Sequence, residues 1–286
     1  MDGSAAPVIT RRTLHDAADL RIEHIVARPR SADLIEVEAP RAHGLALPLS
    51  GVFARHATAR RHLVATANHA LLFPAGQPYR ISFPGCVGDE VLSLQWSPEV
   101  LATALPEAQQ RFAAANDEHA LLEPRHMVRR NLLWRSLARG EGDPLEIEEA
   151  SAGLVAAILR VGSAHAPGAR RIEGVKEAVA LEPGRKWTLG ELAQVARMSP
   201  YHLAHVFRRE VGVSTYAYVL RLRLAQALAC VIDTDADITT IALDAGFASH
   251  SHFTARFRTL FGVTPAQLRR GAGPRPAELR KIVTAR

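Results

Sequence analysis

Histidines and arginines recur at helical spacing around phenylalanines in the segment SHSHFTARFRTLFGVT, Ser249–Thr264. Arginine and histidine side chains donate hydrogen bonds to phosphate oxygens and base edges, whereas phenylalanines at this spacing fill a hydrophobic core. The segment SPYHLAHVFRREVGVS, Ser199–Ser214, repeats the pattern fifty positions earlier, with identical residues at six of sixteen positions. An internal repeat of this kind indicates one structural unit that is used twice.

Each copy is predicted to contain two helices joined by a short turn. In the first copy, Thr188 and Glu191 have the spacing of a capping box at the start of the segment TLGELAQVAR. We expect Leu189, Leu192 and Ala193 to form the buried face of this helix. Helix, turn and helix together make the unit that presents its second helix to the major groove of DNA.

The second copy has the same order of elements with different cap residues. Asp237 is the predicted N-cap of the segment ITTIALDAG, and Gly246 is its predicted end. Ser199 in the first copy and Ser249 in the second are the predicted N-caps of the following helix. The interval between the inner alanine of the first helix and this serine is one residue longer in the second copy, so we expect one extra turn residue there.

At 100° per residue, the second helix of each copy separates into an apolar face and a polar face. The residues predicted to be buried are Leu203, Val206 and Phe207 in the first copy and Phe253, Phe257, Leu260 and Phe261 in the second. The candidate DNA-binding residues are Tyr201, His202, His205, Arg208 and Arg209 in the first copy and His250, Ser251, His252, Arg256 and Arg258 in the second. Because base contacts come mainly from the start of a recognition helix, we expect Arg208 and Arg258 to contact phosphates.

A long helical segment, STYAYVLRLRLAQALACVID, separates the two copies. One continuous helix can hold two recognition helices rigidly, and we expect them to lie about one DNA turn, roughly 34 Å, apart. Residues 168–286 carry 18 Lys and Arg against 10 Asp and Glu, a net charge of +8 in a chain whose total is +6. The positive excess lies in the part that contains both copies, which indicates double-stranded DNA as the partner.

Residues 33–98 consist of short β-favouring runs separated by Pro and Gly turns. Strands at this spacing indicate a small barrel or sandwich. Two segments with helical periodicity, MVRRNLLWRSLARG and PLEIEEASAGLVAAILRVG, follow and are predicted to pack on the strands or against a second subunit. The predicted fold class is α+β, with a β-rich N-terminal region and an all-α C-terminal domain.

The segment from Lys186 to Arg270 resembles the DNA-binding domain of the AraC/XylS-type transcription regulators. The most specific matches are Ala242, Gly246-Phe247, His252-Phe253, Phe257-Arg258, Gly262 and Thr264-Pro265. The strand-rich region resembles, in element order, the cupin-like domain of such regulators. The resemblance implies a cupin-like sensor domain (1–115), a helical dimerisation or packing segment (116–163), a linker (164–171) and a DNA-binding domain (172–286) with helix-turn-helix units at about 188–209 and 238–261.

The resemblance implies a sequence-specific transcription regulator, an activator that responds to a small-molecule effector bound by the N-terminal domain. It also implies a homodimer and a contact with RNA polymerase. Relatives commonly carry Arg at the centre of each outward face, where this chain has His205 and Ala255, with an arginine displaced to Arg256. Since alanine offers a base only contact with a thymine methyl group, we expect the second helix to read bases through its start or through Arg256.

Histidine spacing predicts neither a metal centre nor a catalytic site. His250 and His252 lie two residues apart and do not share a helix face, and His202 and His205 have no third ligand nearby. The N-terminal region has no close histidine pair followed by a glutamate, and the chain has no GxSxG, P-loop or GxGxxG motif. We therefore predict no cofactor, no metal and no enzymatic activity.

The other reactive or charged residues leave alternatives open. Cys86 is predicted to be a small buried residue, with thiol sensing as the alternative. The pairs Arg60-Arg61 and Arg129-Arg130 are predicted to be solvated, with anion binding by the first pair as the alternative.

With no signal-peptide core and no run of eighteen apolar residues, we expect a cytoplasmic protein with no membrane partner. An enzyme with a DNA-binding tail, and a regulator whose N-terminal domain only dimerises, are the competing hypotheses.

Overall fold

The computed structural model describes residues 8–37, 39–58, 61–104, 106, 109–110, 112, 119–161 and 170–271. The strands in these ranges are β1 (Val8–Asp16), β2 (Arg21–Arg28), β3 (Ile35–Val37), β4 (His43–Gly51), β5 (Phe53–Thr58), β6 (Arg61–Ala65), β7 (His69–Phe73), β8 (Tyr79–Ser82), β9 (Asp89–Trp96) and β10 (His119–Leu121). The helices are α1 (Pro98–Ala104), α2 (Pro124–Arg139), α3 (Pro144–Val161), α4 (Arg170–Leu181), α5 (Leu189–Ala196), α6 (Pro200–Val211), α7 (Thr215–Asp233), α8 (Ile238–Asp244), α9 (His250–Phe261) and α10 (Pro265–Gly271). Residues 164–169 of the predicted linker lie outside the described residues, and its last two residues begin α4.

The described strands form two antiparallel sheets that face each other. The six-stranded sheet has the order β1-β2-β9-β4-β7-β10, and the four-stranded sheet has the order β3-β8-β5-β6. Side chains alternate along β9, so that Val91 and Ser93 face the space between the sheets and Leu92 faces the helices. The β-rich N-terminal region and the helical C-terminal region are confirmed. No described strand pair joins the two sheets, so a closed cupin-type barrel stays a prediction.

Helices cover the outer face of the six-stranded sheet. Leu92 of β9 is buried in one hydrophobic cluster with Val128 of α2 and Val155 of α3. Trp134 of α2 also packs against His24 of β2, with 4.3 Å between the ring centroids. The two helical segments therefore pack on the strands through their apolar faces, and a role for them in dimerisation stays a prediction.

In the strand-rich region and the helices that cover it, two side chains lie where the sequence-based predictions did not place them. Arg130 was expected at the surface, but it is fully buried because it lies on the face of α2 that packs on the sheet. Its Nη1 donates to the carbonyl oxygens of Pro48 at 2.5 Å and Ala67 at 2.9 Å, and burial lowers its pKa to about 9. Cys86 was expected to be buried, but it is exposed because it ends a 3-10 turn at the surface.

Buried polar groups connect the strand-rich region to the C-terminal helices. Glu173 and Lys176 of α4 form an ion pair at 2.8 Å, and each is only 1% exposed. Glu173 also accepts a hydrogen bond from the backbone nitrogen of Val64 in β6 at 2.7 Å. In the turn before β7, Asn68 Nδ2 donates to the carbonyl oxygen of Tyr218 in α7 at 3.3 Å. These bonds tie α4 and α7 to the four-stranded sheet and to the turn between β6 and β7.

The predicted long connecting helix is confirmed as α7. It is the described helix that is long and apolar enough to cross a membrane, with 19 residues and a mean hydropathy of 1.2. More than half of that stretch (56%) is buried inside the protein, and Leu222, Leu224 and Leu228 have no exposed surface. Burial on this scale is what the core helix of a folded domain shows.

Candidate nucleic-acid interface

Helix α5 opens the first helix-turn-helix unit with the predicted capping box. Thr188 Oγ1 accepts a hydrogen bond from the backbone nitrogen of Glu191 at 3.2 Å, and Glu191 Oε2 accepts one from the backbone nitrogen of Thr188 at 2.7 Å. The bonds from Thr188, together with the Arg185 guanidinium, lower the pKa of Glu191 to about 2. The helix ends at Arg197, which has the left-handed conformation (φ 51°).

The buried face of α5 differs from the prediction at one position. Leu192, Ala193 and Ala196 are buried, whereas Leu189 is 40% exposed. Leu189 is the first residue of the helix and lies beside the cap at the surface, so it does not reach the core. The prediction for Leu189 is wrong, and Ala196 completes the buried face.

The second helix of each unit, α6 or α9, begins at the predicted serine cap. Ser199 Oγ accepts from the backbone nitrogen of His202 at 3.3 Å, and Ser249 Oγ accepts from that of His252 at 3.2 Å. In the second unit, Asp237 caps the preceding helix α8 and accepts two backbone bonds, of 2.8 and 3.3 Å. Asp237 accepts hydrogen bonds from the side chain and the backbone of Thr239, and these bonds lower its pKa. The predicted N-caps are confirmed.

The apolar faces of α6 and α9 are buried as predicted along most of their length. The buried residues are Leu203, Val206, Phe207, Phe253 and Phe257. Leu260 and Phe261, in the last turn of α9, are only partly buried and pack against the same hydrophobic core.

All ten candidate DNA-binding side chains are exposed on these two helices, and Tyr201 is 85% exposed. The candidates are Tyr201, His202, His205, Arg208 and Arg209 on α6 and His250, Ser251, His252, Arg256 and Arg258 on α9. Arg256 Nε donates to His252 Nε2 at 3.4 Å, and Arg209 pairs with Glu210 at 3.2 Å. The structure therefore brings the candidates of each unit onto one accessible helix, and their contacts with bases or phosphates stay predictions.

Arg223 of α7 joins the two units, although the sequence patterns did not identify it. Its Nε donates to the carbonyl oxygen of Pro183 at 2.6 Å, Nη2 donates to that of Arg185 at 2.5 Å, and Nη1 donates to that of Gly246 at 3.2 Å. Pro183 and Arg185 lead into the first unit, whereas Gly246 lies in the turn of the second. One guanidinium group on the connecting helix therefore contacts both units. No local sequence pattern distinguishes it, because Arg221 lies among similar apolar residues in the same helix.

The space between the two sheets contains a cavity of about 590 Å³. Ile25, Val91 and Phe53 contribute to its apolar wall, and Gln95 Nε2 donates to Glu23 Oε2 at 2.8 Å in its polar part. Sequence analysis identified no effector-binding residues, because the lining comes from strands that lie far apart along the chain. A cavity of this size with a few polar groups is typical of small-molecule sites.

The described residues contain no group of three His, Cys, Asp or Glu side chains placed to hold a metal ion. The rings of His56 and His62 lie 5.3 Å apart, but His56 Nε2 contacts the Ser82 hydroxyl group at 2.8 Å. Burial lowers the pKa of His56 to about 4. His56 is therefore explained as an uncharged, packed residue of the four-stranded sheet.

Residues 192–271 match the family model of a helix-turn-helix domain. They form an AraC-type helix-turn-helix domain. The HTH-type transcriptional regulator MtrA of Neisseria gonorrhoeae is 29% identical over 104 residues, which are 36% of this chain and 35% of that protein. The HTH-type transcriptional regulator ArgR of Pseudomonas aeruginosa is 34% identical over 108 residues, which are 38% of this chain and 32% of that protein.

A solved structure gives a match of similar extent. The crystal structure of a probable AraC family transcriptional regulator from Rhodopseudomonas palustris CGA009 is 27% identical, and the match covers 36% of this chain and 98% of that chain with a TM-score of 0.34. The chain spans about a third of the length of the curated relatives it matches. The AraC-type domain is the part that it has in common with regulators of this kind.

Proposed function

We propose that this protein is a sequence-specific transcription regulator of the AraC type that binds double-stranded DNA. The proposal depends on one observation: α6 and α9 expose polar and basic faces and are both supported by the connecting helix α7, which α6 contacts directly and α9 reaches through α8 and α10. Histidine, serine and tyrosine side chains lie near the starts of the two helices, where recognition helices contact base edges. The later arginines suit phosphate contacts, which position a protein on the duplex without reading its sequence.

The proposed regulator is an activator that responds to a small-molecule effector in the cavity between the sheets. The β6–β7 turn and the buried Glu173–Lys176 pair give this strand-rich region direct contacts with α7 and α4. A change in the sheets is thereby connected to the helices that carry the DNA-binding units. We further propose a homodimer formed through α2 and α3, a contact with RNA polymerase, a cytoplasmic location and no catalytic activity.

Selection from a pool of random duplexes with the full chain tests the DNA-binding proposal. We expect an enriched motif of two parts, with centres about one helical turn apart. Substitution of Arg256 by Ala is expected to change the bases enriched in one part only. Arg30→Gln, at an exposed position between β2 and β3, serves as the control and leaves the motif unchanged. Failure of the folded chain to bind any duplex at low salt would contradict the proposed function.

A panel of small molecules tests the effector proposal through the stability of the full chain. A ligand at a hundredfold excess over its Kd raises the free energy of unfolding by about 2.7 kcal/mol. We expect at least one compound to do so and to alter the affinity for the selected duplex. A panel in which no compound raises stability favours the alternative that the N-terminal region only dimerises.

A further inference from the structure

One buried carboxyl group in the cavity between the sheets has no protein partner among the described residues. Asp89, the first residue of β9, lines the cavity and is only 6% exposed. No described residue donates a hydrogen bond to its carboxyl oxygens, and burial raises its pKa to about 7. A buried carboxyl group without a donor or a cation destabilises the fold. Its position on a cavity wall therefore points to a ligand that supplies the missing partner.

The charges closest to Asp89 leave it unpaired. Arg28, on the neighbouring strand β2, has a side chain that is 62% exposed and lies 3.5 Å from the carboxylate of Glu90. Burial has the largest effect on the pKa of Asp89 and raises it. The positive charge of Arg28 lowers this pKa, and the negative charge of Glu90 raises it. On the other side Asp89 is flanked by the backbone of Gly51, which brings no charge.

The wall next to Asp89 is apolar and partly aromatic. Val91 of β9 forms one buried cluster with Phe53 of the facing strand β5 and with Phe83, and all three line the cavity. Aromatic faces attract organic cations as well as apolar groups. Arg55 is a buried cation on the opposite sheet, and its Nη1 is directed to the carbonyl oxygen of Leu72 at 2.7 Å. An apolar body with a positive group is therefore the chemistry that this wall favours.

The arginines that line the cavity lie in exposed positions. Arg21 pairs with Asp16 at 2.7 Å, and both side chains are about half exposed (50% and 53%). Arg11 Nη1 lies 3.6 Å from Glu23 Oε2, and its side chain is 47% exposed. Arg41 is also exposed. The exposed positions thus carry the guanidinium groups, whereas the carboxyl groups of Asp89 and Glu23 lie deeper.

We propose that the cavity binds an organic amine whose ammonium group contacts Asp89 and whose apolar body lies along Val91 and Phe53. This inference rests on the proposed effector-binding function of the cavity. An ammonium group donates hydrogen bonds to the carboxylate and replaces the missing cation. Ser93 and Gln95 lie further along the same strand, with Ser93 about 13 Å from Asp89 in an extended chain. They offer hydrogen bonds to a second polar group at the other end of the ligand.

Calorimetric titration of the full chain with three probes of matched size tests this assignment. The probes are 4-phenylbutylamine, 4-phenylbutan-1-ol and 4-phenylbutanoate, which share the apolar body and differ in the terminal group. At pH 8 we expect the amine to bind at least tenfold more tightly than the alcohol or the acid. Asp89→Asn keeps the shape of the side chain, and we expect it to weaken amine binding at least tenfold. Alcohol binding within twofold of the parent then shows that the variant is folded.

The pH dependence of amine affinity is a second measurement. A change in packing alone would not alter this dependence. Below a pH of about 7 Asp89 is largely protonated, so it must lose its proton before it pairs with an ammonium group. We therefore expect amine affinity to fall between pH 8 and pH 6, with a limit of about tenfold per pH unit. This dependence should persist in Glu23→Gln and in Asp19→Asn, and it should be absent from Asp89→Asn.

The outcomes separate this inference from the function on which it rests. Preferential amine binding that is lost in Asp89→Asn supports the assignment. Equal or tighter binding of the alcohol or the acid, or an unchanged amine affinity in Asp89→Asn, overturns the amine assignment and leaves effector binding intact. If none of the three probes binds the parent chain, the amine assignment and the ligand-binding role of the cavity both fail.

Discussion

The two helix-turn-helix units have the same scaffold and different exposed surfaces. In each unit the second helix begins at a serine cap, buries a phenylalanine completely (Phe207 or Phe257) and ends at a glycine with a φ of 83° or 80°. At the centre of the exposed face, however, the first unit has His205 and the second has Ala255. The residues that fold the unit are repeated while those that face solvent differ. We therefore expect the two units to read different base pairs.

The turns differ as well, although the backbone closes them in the same way. In each unit, an equivalent backbone hydrogen bond closes the end of the first helix. Its length is 2.9 Å in the first unit and 3.0 Å in the second. The left-handed residue is Arg197 in the first unit (φ 51°) and Gly246 in the second (φ 79°). The second turn contains one more residue before its serine cap, as predicted. An arginine and a glycine therefore give the same turn geometry. The reason for a glycine in the second unit must be steric.

The largest expected effect is a loss of stability in Gly246→Ala. A Cβ atom at this position would lie 2.6 Å from the carbonyl oxygen of Gly184, and the left-handed φ adds strain. Together these terms are expected to lower the free energy of unfolding by about 3 kcal/mol. Gly262→Ala is the matched control, because its φ is 80° but no atom lies within 4 Å, and we expect it to lose about 1 kcal/mol. Urea denaturation of the full chain measures both, and equal losses would show that the contact with Gly184 is unimportant.

The next largest effect is expected for Arg223→Ala, which removes the contact shared by the two units. Loss of three hydrogen bonds from a charged donor is expected to lower the free energy of unfolding by about 2 kcal/mol. The variant should also tolerate duplexes in which the two parts of the selected motif are moved apart by one or two base pairs. Arg223→Lys, which keeps the charge without the planar fork, should behave similarly. An unchanged spacing preference in both variants would mean that α7 alone sets the geometry.

The predictable features of the fold depend on residues close together in the chain. Caps such as Ser199, Ser249 and Asp237, and the buried phenylalanines, follow from spacings of three or four residues, and the structure confirms them. Errors arose where tertiary packing decides. Arg130 has a polar side chain on a helix face that the sheet covers, and Leu189 is an apolar residue that remains 40% exposed.

The sites were predictable to different degrees for the same reason. The exposed faces of α6 and α9 follow from helical periodicity within one short segment. Arg223, in contrast, contacts a carbonyl group 40 residues away, and no local pattern carries that information. The cavity wall combines Glu23 of β2 with Gln95 of β9, which are 72 residues apart. The order of strands in a sheet has to be known before such residues can be grouped.

A smaller and equal effect is expected for the two serine caps. Ser199→Ala and Ser249→Ala each remove one acceptor for a backbone nitrogen, and each should lower the free energy of unfolding by about 1 kcal/mol. Ser251→Ala is the control, since Ser251 is exposed within α9 and caps nothing. Denaturation curves recorded together would reveal any difference between the units. If only one of the two variants loses stability, contacts with neighbouring residues must stabilise the start of the other helix. The two units would then differ in stability although their cap hydrogen bonds are equivalent.

The smallest expected effect concerns the arginines at equivalent positions, Arg208 and Arg258. Both are exposed two turns into their helices, where a side chain faces the DNA backbone more readily than a base edge. Each substitution by Ala should remove about one phosphate contact and lower the slope of log affinity against log salt by about one, with the enriched motif unchanged. Fluorescence anisotropy between 50 and 200 mM salt measures the slope, and Arg256→Ala is the comparison variant, for which the motif should change. If Arg258→Ala instead alters the motif at an unchanged slope, this arginine reads a base, and the second unit compensates for Ala255 from the end of its helix and not from its start.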